Sequence, residues 1–326
     1  MTRNVLVTGG AGYIGSHVCK ILHESGFVPV TFDNLSTGHR DFVKWGPFFK
    51  GDLLNQREII GVFEKYDFAA VMHFAAKAYV NESVNNPIKY YRENIQGSLN
   101  LIEVFIQRKV KAFVFSSSCA TYGDQNEDFI DEQTPQLPIS PYGFTKLAIE
   151  KLLIDLYKIH DFNYSILRYF NAAGADHELE IGEKHVQETH VIPLLIKAAS
   201  KNRVFKVYGN DYTTVDGTAV RDYVHVSDLS IAHLRALEIM LNKQENIICN
   251  IGSGIGISVM ELVNQILRWK KEFKFQFEER RPGDPARLVA RNELSKELLR
   301  LEYQHSNIES IVESAIKWHE NSGQSR

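Results

Sequence analysis

The sequence predicts an α/β fold in which a doubly wound parallel sheet is followed by a smaller, mixed α/β domain. Short apolar strands alternate with longer amphipathic segments through the first half of the chain, which is the pattern of βαβ units. The apolar runs at 5–7 and 113–115 have no polar break, as expected of strands buried on both faces. At 326 residues the chain is long enough for two domains, which we expect at 1–172 and 173–326, with some strands crossing between them.

Each element of the first domain is predicted from residue type and spacing. Strands are expected where β-branched and aromatic residues cluster between turn residues, and helices where apolar residues recur every three or four positions. Because helices separate most of these strands, the strands should pair in parallel beneath helices on both faces. In chain order, the predicted elements are strand Asn4–Thr8, helix Tyr13–Ser25, strand Val28–Asp33, strand Phe48–Gly51, helix Asn55–Lys65, strand Ala70–Phe74, helix Pro87–Gln107, strand Ala112–Ser116, helix Tyr142–His160 and strand Asn163–Tyr169.

The alternation ends after Asn171, and the second domain is predicted to be mixed. Residues 172–189 are rich in glycine, histidine and acidic residues and are predicted to form a loop, and the polar stretch ending at Arg221 is predicted to be irregular. The elements expected around them are helix Val191–Ser200, strand Val204–Tyr208, helix Ser227–Leu241, strand Ile247–Ile251, helix Ser258–Lys271, strand Lys274–Phe277 and helix Asn307–His319.

Composition excludes several classes of function. The formal net charge of −3 argues against a nucleic-acid partner, since phosphate backbones select basic surfaces. No apolar run approaches the length of a membrane span, and Met1–Asn4 leads directly into a strand without a signal-like apolar segment. The three cysteines are widely separated and form no CxxC pair, which predicts reduced thiols in a cytoplasmic protein and no structural zinc site. We therefore expect no metal, no nucleic acid and no membrane partner.

The first strand runs into a glycine-rich turn that predicts a dinucleotide site. The turn satisfies both GxGxxG (Gly10, Gly12 and Gly15) and GxxGxxG (Gly9, Gly12 and Gly15). This spacing allows a tight turn, a close approach of pyrophosphate, and binding of phosphate at the helix N-terminus. Asp33 ends the next strand about 20 residues on, where a carboxylate can bind both ribose hydroxyls. Because a carboxylate would repel the 2′-phosphate of NADP, the sequence predicts NAD.

Two further strand ends fit a cofactor lying across the sheet. Small residues follow the third strand at Gly51-Asp52-Leu53 and the fourth at His73-Phe74-Ala75-Ala76, at the carboxyl edge where open α/β sheets bind ligands. His73 lies within an apolar strand, so we interpret it as a packed, hydrogen-bonded core residue and not as a catalytic one.

The segment Ser140–Lys146 predicts the chemistry. Tyr142 and Lys146 are four positions apart at the expected start of a helix, so both side chains lie on one face. A free tyrosine has a pKa of about 10, and a nearby cation lowers it, which would give a general base near neutral pH. The fifth strand ends in three serines, and the Ser118 hydroxyl can face the same site. Beside a nicotinamide, this group predicts oxidation of a secondary alcohol.

Nine short motifs are distributed along nearly the whole chain. They are 7–17 (VTGGAGYIGSH), 33–35 (DNL), 73–75 (HFA), 116–118 (SSS), 122–124 (YGD), 140–143 (SPYG), 168–171 (RYFN), 220–226 (VRDYVHV) and 281–284 (RPGD). With these motifs the chain resembles the extended short-chain dehydrogenase/reductase family, and within it the UDP-glucose (UDP-galactose) 4-epimerases. The resemblance implies a Rossmann-like first domain and a C-terminal nucleotide-sugar domain.

The resemblance implies a mechanism and a set of contacts. Tyr142 would deprotonate the hydroxyl on the fourth carbon of the sugar while hydride passes to NAD, Ser118 would steady the reacting oxygen, and Lys146 would hold the nicotinamide ribose and lower the tyrosine pKa. Hydride would then return to the opposite face of a 4-keto sugar. A homodimer is also implied. The implied NAD contacts are Gly9, Gly12, Tyr13, Ile14, Gly15, Asp33, Asn34, Ser36, Asp52, Leu53, Phe74, Ala75 and Tyr169, and the implied UDP-sugar contacts are Asn171, His190, Tyr208, Arg221, Arg281 and Asp284.

Three positions depart from the pattern of the best-known epimerases, and a fourth bears on the choice of sugar. Lys77 lies one position earlier than the usual lysine, Glu93 replaces the first asparagine of an Asn-Asn pair, and His190 stands where an asparagine often contacts the nucleotide. Leu288 stands at the position that resembles the gatekeeper of the sugar pocket, where a large residue limits N-acetylated sugars and a small one admits them. Leucine is intermediate in size.

Several alternative functions stay open from the sequence. UDP-pentose and UDP-N-acetylhexosamine 4-epimerases share the motifs, and a catalytically silent NAD(H)-binding regulator is a candidate from another class. A 4,6-dehydratase or decarboxylase of the same superfamily needs acidic residues just after the serine-bearing strand. Residues 119–121 are Cys-Ala-Thr, which offer no acid for elimination.

Overall fold

The structure is a computed structural model, and it describes residues 3–125, 127–281 and 284–322. It divides into two compact units, and both are built from more than one stretch of chain. The first unit contains Met1–Gly123, Pro135–Tyr169 and Ser230–Cys249, and the second contains Asp124–Thr134, Phe170–Leu229 and Asn250–Arg326. The assignment of NAD to 1–172 and of a nucleotide sugar to 173–326 stays a prediction about function.

The strands of the described residues follow, numbered in chain order. They are β1 (Asn4–Thr8), β2 (Val28–Asp33), β3 (Phe48–Lys50), β4 (Ala70–His73), β5 (Ala112–Ser118), β6 (Asn163–Tyr169), β7 (Asn171–Ala173), β8 (Phe205–Tyr208), β9 (Val220–His225), β10 (Ile247–Ile251), β11 (Gly256–Ser258), β12 (Phe275–Glu278) and β13 (Arg287–Leu288).

The α-helices are numbered in the same way. They are α1 (Tyr13–Glu24), α2 (Gln56–Lys65), α3 (Val80–Asn85), α4 (Pro87–Tyr90), α5 (Gly97–Gln107), α6 (Pro141–Tyr157), α7 (Val191–Ser200), α8 (Val226–Lys243), α9 (Val259–Trp269), α10 (Glu293–Leu299) and α11 (Ile308–Asn321). No helix among the described residues is both long enough and apolar enough to cross a membrane.

The first unit is built on a seven-stranded sheet with the order β10-β6-β5-β4-β1-β2-β3. β1 pairs in parallel with β2 on one side and with β4 on the other, so the strand order reverses beside β1. Ligands of doubly wound sheets bind at the carboxyl edge of such a reversal. The predicted parallel, doubly wound sheet is confirmed.

The core of this unit lies between the sheet and its helices. Leu6, Val71 and Phe113, on three neighbouring strands, have no exposed surface, and they belong to one cluster with side chains of α2, α5 and α6. Burial of these apolar runs removes aliphatic and aromatic surface from water on both faces of the sheet, which is the main driving force for forming it. The prediction that the strands at 5–7 and 113–115 are buried on both sides is confirmed.

The second unit is mixed, as predicted. β9 pairs with β11, β13 and β7, and β8 pairs with β12 in a separate two-stranded sheet. Its core joins Leu195 of α7, Ile266 of α9 and Ile311 of α11. α9 begins at a capping box in which Ser258 and Glu261 each accept a hydrogen bond from the other's backbone N–H.

The structure corrects three of the predicted elements. The stretch predicted as irregular through Arg221 overlaps β9 only at Val220 and Arg221, and the rest of that strand, to His225, was not predicted. The strand tolerates the polar Asp222 because its carboxylate accepts from the backbone N–H groups of Ser253, Gly254 and Ala290. The predicted helix at 87–107 contains a π-helical turn at Tyr91–Gln96. β10, which the sequence analysis gave to the second domain, is hydrogen-bonded to β6 at the end of the seven-stranded sheet. Elements that the sequence analysis did not predict are α3, β7, β11, β13 and α10.

Candidate active site

The glycine turn after β1 is tight enough to exclude any side chain at two positions. Gly9 has a φ of +73°, and a Cβ there would lie 2.6 Å from the Ala75 nitrogen. A Cβ on Gly15 would lie 2.2 Å from the Gly9 carbonyl oxygen. α1 begins immediately after Gly12 with Tyr13 and Ile14, so its first turn directs N–H groups and the positive end of the helix dipole out of this turn. The turn therefore fits a pyrophosphate group.

We expect Gly15→Ala to reduce the NAD content of the purified protein at least tenfold, because the added methyl must displace the Gly9 carbonyl and open the turn. Gly61→Ala in α2 is a matched control, since its Cβ would meet only a Phe49 ring carbon, at 3.4 Å. That control should retain NAD and gain about 0.5–1 kcal/mol of helix stability. NAD content can be read from the absorbance of a denatured extract. Wild-type content in Gly15→Ala would contradict a phosphate site in this turn.

Asp33 joins the end of β2 to the glycine turn. Its carboxylate accepts from the Ala11 N–H at 3.1 Å and from the Leu35 N–H at 2.8 Å. Burial raises the pKa of Asp33, and these two hydrogen bonds offset part of that rise. Lys77 also lowers this pKa and donates to the Ser36 hydroxyl at 3.0 Å. Lys77, the lysine that lies one position earlier in the sequence than usual, is therefore beside the segment that is predicted to bind ribose.

The predicted cofactor residues after β2 and β3 are linked to each other. Asn34 donates to the Asp52 carboxylate at 2.9 Å and accepts from the Ser36 N–H at 2.8 Å. Leu53 is buried at the end of the same segment. These bonds fix two strand ends side by side at the carboxyl edge of the sheet, where the sequence predicts the adenosine half of NAD.

The other predicted cofactor residues lie at the ends of β4 and β6. The N–H groups of Phe74 and Ala75 both donate to the Thr8 carbonyl, at 3.0 and 3.1 Å. The rings of Phe74 and Tyr169 contact His233, with centroid distances of 4.8 and 5.8 Å. The Tyr169 hydroxyl is hydrogen-bonded to the Ser116 hydroxyl. Both strand ends thereby belong to one connected edge of the sheet.

His73 is a core residue, as predicted. Its two ring nitrogens are hydrogen-bonded to the hydroxyls of Thr8, at 2.7 Å, and Ser98, at 2.8 Å. Burial lowers its pKa to about 3, so the ring is neutral at physiological pH.

Tyr142 and Lys146 lie in the first turns of α6. The Ser140 hydroxyl caps this helix by accepting from the Gly143 N–H at 3.1 Å, and Pro141 occupies its first turn. Tyr142 is 8% exposed and Lys146 is 4% exposed, so both are almost fully buried. The ammonium nitrogen of Lys146 lies 5.9 Å from the centroid of the Tyr142 ring. The prediction that the Tyr142 and Lys146 side chains lie on one face of the helix is therefore confirmed.

Lys146 is held over the end of β5. Its ammonium donates to the Ser116 carbonyl at 2.6 Å and lies 5.0 Å from the Phe115 ring centroid. Burial lowers its pKa to about 7, and the Glu150 carboxylate limits that fall.

The pKa of Tyr142 moves in the direction opposite to the one predicted from the sequence. Burial raises it to about 12, a hydrogen bond with Ser118 lowers it by less, and Cys119 adds to the rise. The prediction of a lowered pKa is wrong for the chain alone, because burial of the phenol outweighs the other contributions. The structure does bring Ser118 to the phenol, as the sequence predicted.

A buried ion pair behind this group was missed by the sequence analysis. Glu150, in α6, has no exposed surface and accepts from Arg168 at 2.8–3.1 Å, from Gln136 at 2.8 Å and from the Ser117 hydroxyl. Arg168 also donates to the Tyr122 hydroxyl at 2.9 Å. A glutamate in the apolar stripe of a predicted helix is the signal that could have indicated it. The pair connects α6, which carries Tyr142 and Lys146, to β5 and β6.

Asn94 is a second residue that the sequence analysis did not assign. It lies in the π-helical turn and is 4% exposed. Its amide donates to the Thr145 hydroxyl at 3.1 Å and to the Lys77 carbonyl at 3.0 Å, and accepts from the Lys77 N–H at 2.8 Å. The π-helical turn therefore holds the segment after β4 against α6. Its contact on α6 is Thr145, the residue before Lys146. Glu93 precedes it and lies partly exposed.

The residues predicted to contact UDP form small groups within the second unit. Arg221 is paired with Asp284, and Arg281 lies 4.0 Å above the Tyr208 ring. Asn171 donates to the Asp222 carbonyl at 2.8 Å. Pro282 and Gly283, the two middle positions of the motif at 281–284, lie outside the described residues.

The remaining predicted positions of the second unit lie on β13 and before α7. Leu288, the predicted gatekeeper, is in register with Arg221 on β9. His190 precedes α7, and its Nδ1 is hydrogen-bonded to the Glu183 carboxylate. Arg280 was not predicted. It pairs with Asp211 at 2.6 Å, beside Arg281 in sequence.

The doubly wound parallel sheet, the glycine turn and the buried tyrosine–lysine–serine group define a Rossmann-like protein with a dinucleotide site. The chain belongs to the NAD dependent epimerase/dehydratase family, whose model matches residues 5–252.

The chain is similar along its whole length to named members of that family. It is 47% identical to a UDP-glucose 4-epimerase of Rhizobium meliloti, over 97% of both chains. It is 45% identical to the crystal structure of UDP-glucose 4-epimerase from Brucella ovis in complex with NAD, with a TM-score of 0.94 over 97% of this chain and 98% of that one. It is 31% identical to UDP-glucose 4-epimerase from Bifidobacterium longum in complex with NAD+ and UDP, with a TM-score of 0.93 over 99% and 100% of the two chains. The resemblance found in the sequence is confirmed.

Proposed function

We propose that this protein interconverts UDP-galactose and UDP-glucose by NAD-dependent epimerisation at the fourth carbon of the sugar, through a transient 4-keto sugar. It is thus an isomerase of carbohydrate and galactose metabolism. The observation that carries the proposal is the joint burial of Tyr142, Lys146 and Ser118 at the carboxyl edge of the sheet, on the same edge as the glycine turn. Similarity along the whole chain to UDP-glucose 4-epimerases supports it.

The first unit is proposed to bind NAD. Gly9, Gly12 and Gly15 leave room for the pyrophosphate, and Asp33 offers its carboxylate to the ribose hydroxyls. When bound, NAD supplies the hydride acceptor and, in its oxidised ring, a positive charge. The Brucella ovis relative, which was crystallised with NAD, supports this assignment.

Tyr142 is proposed to act as the base for the sugar hydroxyl. Because burial raises its pKa to about 12, the phenol needs a cation beside it before the phenolate forms near neutral pH. Lys146 offers one cation, with its ammonium nitrogen 5.9 Å from the centroid of the Tyr142 ring. Ser118 is hydrogen-bonded to the phenol and can pass the proton between the sugar oxygen and Tyr142. The hydride removed from the sugar carbon returns to its opposite face, so no oxidant is consumed.

The second unit is proposed to bind the uridine diphosphate. Arg221 and Arg281 supply two guanidinium groups, which form charge-assisted hydrogen bonds to phosphate oxygens. Asp284 fixes Arg221 by an ion pair, and the Tyr208 ring supports Arg281. Asn171 and His190 complete the proposed contacts. The Bifidobacterium longum relative, crystallised with UDP, supports this assignment.

The test of this function is incubation of the protein with UDP-galactose in the absence of added oxidant, followed by chromatographic detection of UDP-glucose. Parallel incubations with UDP-N-acetylgalactosamine and UDP-xylose distinguish the hexosamine and pentose alternatives. We expect UDP-galactose to give the largest kcat/KM. A protein that contains NAD but converts no UDP-sugar would contradict an epimerase and favour a silent NAD(H)-binding regulator.

A homodimer and a cytoplasmic location are parts of the same proposal. Exposed apolar side chains at Ile88, Tyr91 and Phe144 support an interface, since the Tyr91 and Phe144 rings contact each other and are 40% and 47% exposed. Light scattering should give a mass near twice the 37.2 kDa of one chain, and Tyr91→Asp should lower it. Ile159→Asp, at another exposed apolar residue, is the control, and a monomeric wild type would contradict the homodimer. The odd number of cysteines, all buried, supports a reducing compartment.

A further inference from the structure

The segment that precedes α7 brings together two histidines and two glutamates. Glu183, His185, Glu188 and His190 each offer one ligand atom, and these four atoms lie within 4.8 Å of one another. Both residue types are common ligands of divalent transition metals, and the four lie within eight positions of the chain.

Two of the separations between the ligand atoms match the edges of a tetrahedron around one ion. The Nδ1 of His185 lies 3.3 Å from the Glu183 carboxylate and 3.4 Å from the Glu188 carboxylate. Ligands at the usual zinc distances of roughly 2.0–2.1 Å are separated by about 3.3–3.4 Å in a tetrahedron. The Nδ1 of His190 contacts the same Glu183 oxygen and lies 3.8 Å from Glu188. Four-coordination requires the His190 ring to turn away from the Glu183 oxygen, and this ring is the exposed member of the set, with 53% of its side chain accessible.

The burial and the charge of the two glutamates both favour binding of a cation. The side chains of Glu183 and Glu188 are 5% and 8% exposed, so two negative charges are held almost out of water. Buried carboxylates are stable only when paired or bound to a metal. One divalent cation with two neutral imidazoles balances them completely.

The surrounding contacts hold both glutamates in position. The Glu183 carbonyl accepts from the Trp318 indole N–H at 2.9 Å, which ties this segment to α11. One oxygen of Glu188 accepts from the N–H groups of Thr189 and His190, at 2.8 and 2.9 Å. Its other oxygen faces His185. Hydrogen bonds of this kind orient metal ligands before the ion binds.

We propose that Glu183, His185, Glu188 and His190 bind one divalent transition-metal ion, with Zn²⁺ the best match to two imidazoles and two carboxylates. A site with four protein ligands is a structural one. The ion would cross-link residues 183–190 just before the N-terminus of α7. The expectation of no metal rested on the cysteines alone and overlooked this set. The neighbouring carboxylates of Asp176, Glu178 and Glu180 include no imidazole and are not assigned a site.

One consequence rests on the proposed function. His190 is a proposed nucleotide contact, and an ion bound at its Nδ1 leaves its Nε2 as the donor for phosphate. The site would then fix the orientation of a substrate-binding side chain. The metal proposal itself needs no catalytic assay.

The test is metal content and heat stability of the full-length protein, purified without a histidine tag. After dialysis against EDTA, loading with Zn²⁺ and desalting, we expect about one Zn²⁺ per chain by mass spectrometry. Zn²⁺ should raise the midpoint of thermal unfolding by several degrees, because it binds the folded state only. His185→Ala and Glu183→Gln should each lose the ion and the shift. His160→Ala, at an exposed histidine on another segment, should keep both.

The alternative is an ion-pair network in which two protonated histidines neutralise the two glutamates. In that case the wild type would retain less than one tenth of an equivalent of Zn²⁺ and its unfolding midpoint would not respond to EDTA or Zn²⁺. That result would overturn the proposal even if the variants fail to fold. Equal retention of Zn²⁺ by wild type and both folded variants would overturn it as well. Loss of UDP-sugar conversion with zinc still bound would count against the proposed function only.

Discussion

Replacing Tyr142 with phenylalanine is expected to lower kcat by about 10²–10⁴-fold, the usual contribution of a positioned acid–base group. The substitution removes only the hydroxyl that is hydrogen-bonded to Ser118 and leaves the buried ring in place. NAD content and KM should stay close to wild type, because the glycine turn and Asp33 are unchanged. Initial rates of UDP-galactose conversion, with NAD content measured in the same preparation, give both quantities.

Tyr157→Phe is the matched control for this prediction. Tyr157 lies in the same helix, α6, and its ring is 43% exposed and packs edge-on against Phe162 and Tyr164. It should keep wild-type turnover. If Tyr142→Phe also keeps it, the base has been assigned to the wrong residue.

Glu150→Gln is expected to lower the free energy of unfolding by about 3–5 kcal/mol, the usual cost of removing one partner from a buried ion pair. The substitution preserves size but leaves the Arg168 guanidinium buried without its carboxylate, and it weakens the acceptor for Gln136 and Ser117. Denaturant unfolding monitored by circular dichroism measures the change, provided that wild type and variant show the same slope.

Two companion variants separate this effect from a general loss of charge. Asp155→Asn, in the same helix, removes the carboxylate of an ion pair with Lys158 whose side chains are 64% and 71% exposed, and should cost less than about 1 kcal/mol. Glu150→Leu combined with Arg168→Met should recover much of the lost stability, because no charge is then left buried. A double variant less stable than Glu150→Gln would contradict the ion-pair explanation.

The local parts of the fold and site could be predicted from the sequence because their signals lie close together in the chain. The turn from Gly9 to Gly15 and the pair Tyr142–Lys146 depend on spacings of seven residues or fewer, and the structure forms both. The alternation of strands and helices similarly predicts the parallel sheet, since each crossover is decided by adjacent elements.

The parts that could not be predicted depend on contacts between distant residues. The N–H donors that satisfy the Asp222 carboxylate come from residues 253, 254 and 290, so the sequence around Asp222 did not predict a strand. The ion pair between Glu150 and Arg168 forms only when α6 packs on the sheet, because the two residues belong to different elements. The pKa of Tyr142 depends on how completely the phenol is buried, and spacing along a helix contains no information about burial.

The most direct test of the proposed epimerisation uses UDP-galactose that carries deuterium at the fourth carbon of the sugar. If the hydride leaves that carbon and returns to its opposite face within one cycle, the UDP-glucose formed in ordinary water will keep the deuterium at the same carbon. Mass spectrometry and proton NMR of the product measure this retention, which we expect to be nearly complete. Product that has exchanged its deuterium for solvent hydrogen would contradict hydride transfer through NAD, and with it the role given to Tyr142, Lys146 and Ser118.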